Sequence, residues 1–120
     1  MNFLNSIKIA FLGIKSALKR ERNFRIQFLI ALMVIILMVI LGLNPIEKSI
    51  LLLTISVVLS LELINSQIEK FLDLIKPEIQ PKVKTIKDLS AGAVLFSVLG
   101  SIIIGFLIFL PYIIKLIVRI

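Results

Sequence analysis

From Leu89 to Ile114 the chain runs 26 residues without a charge, enough as a helix to cross the ~30 Å hydrocarbon core of a bilayer. A second run, Phe28 to Leu43, holds 16 apolar residues and with Ile26, Gln27 and snorkelling flanks is also long enough. Between them Pro45 to Ile75 contains no helix breaker, and its apolar part ends only at Glu62. Three such stretches in 120 residues, 59% of them hydrophobic and 18% charged, exclude a soluble domain of ordinary composition. The fold class expected is all-α integral membrane: one domain, residues 1–120, with a surface helix at 3–22 and transmembrane helices at 26–43, 45–75 and 85–118.

The surface helix is read from periodicity. Phe3, Leu4, Ile7, Phe11, Ile14 and Leu18 fall on one side, with Lys8, Lys15 and Lys19 on the other. Such a basic amphipathic helix is expected to lie flat on an anionic leaflet. Gly42-Leu43-Asn44-Pro45 reads as a tight turn, with Asn44 as N-cap and Pro45 at the first helical position. Lys76 to Lys82 reads as a polar hairpin loop, and Thr85-Ile86-Lys87-Asp88 has capping-box spacing that would open the last helix. Ala93, Ser97, Ser101 and Gly105 recur every fourth residue, a small-residue stripe suited to close helix approach. Pro111 is expected to bend or end that helix.

Charge is unevenly spread. Residues 1–25 carry Lys8, Lys15, Lys19, Arg20, Arg22 and Arg25 against Glu21, six against one, or +5 of the total +7. Basic flanks beside apolar spans place the N-terminus and the loop after the second span in the cytoplasm, and the C-terminus outside. Lys115 and Arg119 sit against that rule. No aromatic and basic interleaving suited to base stacking appears, so nucleic acid is not an expected partner.

The chain has no cysteine, histidine or tryptophan. Disulfides, thiol chemistry, the usual zinc sites and histidine acid–base catalysis are excluded. Chemistry must come from carboxylates, lysines, amides and a bound ion. The candidate group is Glu62, Asn65, Glu69 and Asp73, which on a helix project at about 0°, 300°, 340° and 20° and descend one edge over about 16 Å. A polar ladder entering a membrane marks a functional site. Glu21, Lys87 and Asp88 fall at the same membrane face, as does Glu78. Carboxylates so gathered call for a cation, and Mg²⁺ with one or two carboxylates plus substrate phosphates fits. Lys87 can hold a phosphate, and Glu62, the deepest acid, suits proton abstraction from a hydroxyl. That is the chemistry of phosphoryl transfer, without a P-loop or protein-kinase motif set. The residues taken alone also fit an ion or proton pathway, as in a small proton-coupled transporter, or polar contacts between helices. Glu21 can equally pair with its flanking arginines, and Asp88 can serve only as a helix cap. A single protomer is expected to leave part of the ladder's face toward lipid.

These stretches resemble the small prokaryotic lipid kinases, the diacylglycerol kinase and undecaprenol kinase family. Glu62-Leu63-Ile64-Asn65-Ser66-Gln67-Ile68-Glu69-Lys70-Phe71-Leu72-Asp73 is similar to the family's Glu-x-x-Asn-[Ser/Thr]-Ala-Ile-Glu-x-x-x-Asp. Glu21-Arg22-Asn23-Phe24-Arg25 and Lys87-Asp88 with Ser90-Ala91-Gly92-Ala93-Val94 resemble its other two motifs. The resemblance implies an ATP-dependent lipid kinase with Mg²⁺, in the bacterial inner membrane, assembled as a homotrimer with active sites shared between protomers. It implies that Glu62 is the catalytic base toward the lipid hydroxyl and that Glu21 and Glu69 bind the metal. It further implies that Asn65, Asp73, Lys87 and Asp88, with Glu21 and Glu69, surround the nucleotide. Gln67 departs from the family's alanine, but lies about 140° from Glu62 and off the ladder. Glu21-Arg22-Asn23-Phe24 and the tail Ile104 to Pro111 look like the Gram-positive undecaprenol kinase branch; the diacylglycerol branch usually has glutamine directly after Phe-Arg, where this chain has Ile26, with Gln27 one later. The lipid acceptor implied is undecaprenol, with diacylglycerol the alternative.

Overall fold

In the computed structural model, which describes residues 2–75 and 80–119, four helices follow one another. They are α1 (Phe3–Arg20), α2 (Arg22–Ile40), α3 (Pro45–Ile75) and α4 (Pro81–Arg119). The last three are long and apolar enough to cross a membrane. α3 packs against both α2 and α4, and α1 against α2. Much of the apolar surface faces outward, for example Leu74 and Phe96, as suits a protein whose solvent is lipid.

Each helix end has a local cause. Asn2 caps α1, its Oδ1 accepting from the Asn5 N–H at 2.8 Å. α1 stops at Arg20 because Glu21 adopts extended backbone (φ −105°, ψ 106°), so the surface helix is two residues shorter than expected. α2 accordingly starts at Arg22 rather than 26, and stops at Ile40 rather than 43. Its end is set by Gly42, whose φ of +66° is costly for any residue with a Cβ. Asn44 and Glu47 then form a reciprocal cap: Asn44 Oδ1 accepts from the Glu47 N–H (2.8 Å) and Glu47 Oε1 from the Asn44 N–H (3.2 Å). With Pro45 at the first helical position, α3 starts where the turn signals place it.

α4 corrects the sequence reading twice. It begins at Pro81, four residues before 85, with the Lys84 N–H donating to the Gln80 carbonyl. Proline lacks the N–H that a first-turn residue leaves unused, so Pro81 starts the helix and the capping-box spacing goes unused. Thr85 lies inside the helix, its hydroxyl donating to the Pro81 carbonyl at 2.9 Å. Asp88 is therefore no cap. Of the expected hairpin loop, residues 76–79, including Glu78, lie outside the described residues, while Pro81 and Lys82 are already helical. Nor does Pro111 end the helix, which continues to Arg119.

Two serines of the small-residue stripe are satisfied within α4 itself, Ser97 and Ser101 donating their hydroxyls to Val94 O and Val98 O. A Cβ at Gly105 would meet nothing within 4 Å, so no helix of the same protomer approaches it closely.

The bundle's apolar core lies at its Gly42 end. Met38, Leu43 and Leu51 are buried there, with Ile104, Ile108 and Phe109 of α4 packed on them. Tyr112 closes this end by donating its hydroxyl to Glu47 Oε1.

Candidate functional site

At the opposite end, the start of α2 is pinned by Phe24, 2% exposed, whose ring is 6.1 Å from that of Phe28. Arg25 turns back, Nη1 donating to the carbonyls of Leu18 (3.0 Å) and Lys19 (3.3 Å) at the end of α1. A cation on carbonyls that a helix end leaves open is favourable, and it removes Arg25 as a partner for Glu21.

Glu21 occupies the N-cap position of α2 but makes no side-chain cap bond. Its carboxylate reaches α3 and pairs with Lys70, so the flanking-arginine pairing is not what forms. This contact joins the break between α1 and α2 to the helix carrying the ladder.

The ladder divides by depth. Glu62 and Asn65 are buried, at 4% and 8% exposure, together with Ser66. One protomer thus covers the deep half of the ladder. Glu69 and Asp73 are exposed. Asn65 Nδ2 donates to Glu69 Oε1 at 3.3 Å, one helical turn on, while its Oδ1 is buried without a partner among the described residues. Asp73 Oδ1 accepts from Lys87 Nζ at 2.5 Å, joining α3 to α4. Asp88 pairs with Lys84 along the exposed side of α4, at 2.8 Å. Gln67 is exposed, away from these contacts.

Gln27 was missed as a site residue. Its Nε2 donates to Glu62 Oε2 across 3.4 Å, a long hydrogen bond and the one that joins α2 directly to the buried carboxylate. Its Oε1 is buried and unpartnered. The sequence signal was there: a carboxamide in an otherwise apolar span needs a partner as much as a carboxylate does.

Gln27 also lines a cleft of about 510 Å³ between α2, α3 and α4. Apart from Gln27, Thr54 and Ser101, its walls are apolar, including Val34, Leu51, Val58, Ile102 and Phe106. Thr54 spends its hydroxyl on the Ile50 carbonyl. The cleft therefore offers an apolar bed with one free polar group, next to the buried acid.

Glu21 and Glu69 both lie within Coulombic reach of Glu62. Among the described residues, no three acids converge closely enough to cage a metal by themselves. The donor set still suits a hard cation that shares its ligands with a phosphate, since Asn65 Oδ1 is a buried oxygen without a partner beside the Glu69 carboxylate. Among the described residues, three pairs thus link different segments at this end, Glu21–Lys70, Gln27–Glu62 and Asp73–Lys87, while Asp88 is exposed and pairs with Lys84 within α4.

Comparison with known proteins converges on one family. The family described as prokaryotic diacylglycerol kinase matches residues 8–109. The chain is 41% identical over 109 residues to a Bacillus subtilis (strain 168) protein named undecaprenol kinase, covering 91% of this chain and 89% of that one. It is 35% identical over 118 residues to a Synechocystis diacylglycerol kinase, covering 98% of this chain and 67% of the relative. Over 77 residues it is 36% identical to a diacylglycerol kinase of Haemophilus influenzae, covering 64% and 65%.

Proposed function

We propose that this chain, which belongs to the prokaryotic diacylglycerol kinase family and is a lipid kinase, transfers the γ-phosphate of ATP to the hydroxyl of undecaprenol. The observation that carries the reading is the buried Glu62 carboxylate, hydrogen-bonded to Gln27, which itself lines an apolar cleft. A polyprenol is almost wholly apolar with a single terminal hydroxyl, so an apolar bed leading to one acid matches its chemistry. The 41% identity, over nearly the full length of both chains, to a protein named undecaprenol kinase favours this acceptor. Diacylglycerol is the second reading, favoured by the names of the Synechocystis and Haemophilus relatives.

In this mechanism Glu62 takes the hydroxyl proton as the alcohol oxygen forms its bond to the γ-phosphorus. The bond from that phosphorus to the β-bridging oxygen breaks, and ADP leaves. Lys87 gives a point charge to the phosphates, released from Asp73 or shared with it. Asn65, Asp73 and Asp88 complete the nucleotide's surroundings. Glu21 and Glu69 would hold Mg²⁺, with Asn65 Oδ1 free to contribute, and the ion would supply neutralising charge toward the phosphates. Lys70, paired with Glu21, supplies positive charge to that carboxylate, and a metal-bound state would loosen the pair.

The active form is a homotrimer with sites shared between protomers, which would cover apolar faces such as that of Phe96. The amphipathic pattern of α1 suits it to the membrane surface. The Glu62 end faces the cytoplasm, where ATP is, with the C-terminus outside. The test is a labelled-ATP assay with Mg²⁺ across lipid alcohols. Phosphorylation of undecaprenol faster than diacylglycerol is expected. The reverse order would move the acceptor to diacylglycerol, and no phosphorylated lipid would overturn the kinase mechanism.

A further inference from the structure

We infer that Gln27 is a positioning residue for the proton transfer, holding Glu62 in place in both of that acid's protonation states. The inference rests on the reading of Glu62 as the base.

Three observations point the same way. Gln27 Nε2 donates to Glu62 Oε2 at 3.4 Å, joining α2 to α3 at the depth of the buried acid. Among the described residues, Gln27 Oε1 is buried with no partner, so the bond to Glu62 is what orients the amide. Gln27 also lines the apolar cleft, which places its carboxamide at the boundary between cleft and acid.

The chemistry follows from what each group can donate. While Glu62 is ionised it can only accept, so the amide must present its NH₂, as it does. Presenting Oε1 instead would set acceptor against acceptor. The bond engages one carboxylate oxygen and leaves the other to take a proton. During transfer the alcohol O–H bond breaks and the proton moves to Glu62, while the alcohol oxygen bonds to phosphorus and ADP departs. Glu62 is then a carboxylic acid with a proton to donate. A rotation of about 180° about the terminal torsion of Gln27 brings the free Oε1 round to accept it, and such sp³–sp² torsions are soft. A carboxamide is complementary to both states. A carboxylate or an alkyl group is complementary to one at most.

Gln27 does not compete for the substrate's only proton, because in the ionised state it faces Glu62 with a donor. Its effect belongs in the chemical step rather than in nucleotide binding.

The test is a double-mutant cycle between Gln27→Leu and Glu62→Gln, measured on the full chain in lipid with Mg²⁺, ATP and undecaprenol. Leucine is close in volume and as apolar as the cleft, so the helix contact survives while the hydrogen bond goes. Gln27→Leu is expected to lower kcat about tenfold, with the KM for ATP and nucleotide binding without turnover unchanged. In the Glu62→Gln background the same change should cost nothing further, because no base is left to position. Gln27→Asn, one methylene shorter, should recover little. An equal tenfold loss in both backgrounds would make Gln27 a structural contact independent of Glu62, and wild-type kcat in Gln27→Leu would remove the role outright. Either result overturns this inference and leaves the kinase reading intact. Full activity in Glu62→Gln alone would instead overturn the reading of the base.

Discussion

At the Gly42 end of the bundle Asn44 and Glu47 cap each other, and Tyr112 closes on the same carboxylate. At the Glu62 end Gln27 and Asn65 each spend a donor on a carboxylate and leave an oxygen buried and unpartnered. Both ends put a glutamate next to neutral polar side chains. Only one closes its hydrogen bonds. An unmade bond to a buried polar atom costs about 1–3 kcal/mol, so such atoms persist where something else is meant to meet them. A saturated cluster is a clasp, and an unsaturated one has acceptors left over for a further donor or cation.

The sharpest way to break that comparison is within the unsaturated end. Glu62→Gln keeps shape and hydrogen bonding but cannot take a proton, so turnover should fall about 10²-fold or more. Metal-dependent nucleotide binding, measured without turnover, should stay near that of the parent. Glu69→Gln and Glu21→Gln should instead lower that binding, and extra Mg²⁺ should recover part of it. Binding lost in Glu62→Gln and kept in Glu69→Gln would exchange the roles of base and metal ligand.

What the sequence disclosed follows the same division. The turn at Gly42–Pro45 and the start of α3 were legible because Gly, Asn and Pro each act within a few residues of themselves. The ladder was legible because it lies on one helix, where spacing fixes direction. Contacts between helices were not. Nothing in Glu21-Arg22 says that Arg25 will be taken by the carbonyls of α1 and leave Glu21 to Lys70, since that depends on a chain break marked by neither glycine nor proline. Gln27 stood out only as a carboxamide in an apolar span; which group it would meet was not legible, because Glu62 lies 35 residues away. The start of α4 was misread because the capping-box spacing at Thr85–Asp88 was followed, while Pro81, suited to a first helical turn, was left in the loop.

The saturated end should respond in the opposite currency, stability without activity. Tyr112→Phe removes the hydroxyl that Glu47 accepts from, a bond joining the start of α3 to the far part of α4. A hydrogen bond to a charged group stabilises more than a neutral one, but exposure discounts this one, so a small loss of stability is expected. Thermal unfolding in detergent should come at a lower temperature, with kcat and the KM for ATP within twofold of the parent. A kcat that falls with the melting point would mean that the clasp reaches the site, and the two ends would no longer be separable.

The smallest expected effect lies between the ends, at Gly105. An added Cβ meets nothing within 4 Å inside the protomer, although the residue lines the cleft. Glycine within a helix costs up to about 1 kcal/mol relative to alanine, so one protomer alone offers a reason to lose it and none to keep it. If the stripe of Ala93, Ser97, Ser101 and Gly105 is only the wall of a cleft, Gly105→Ala should raise stability slightly and leave oligomer size unchanged, as read by light scattering and thermal unfolding. That is the outcome the free space predicts. A helix of a neighbouring protomer resting on Gly105 would reverse the sign, because backbone packed on a glycine has no room for a methyl group. A smaller oligomer or a lower melting temperature in Gly105→Ala would therefore place the seam between protomers at this residue, and would make the middle of α4 an interface instead of a wall facing the acceptor.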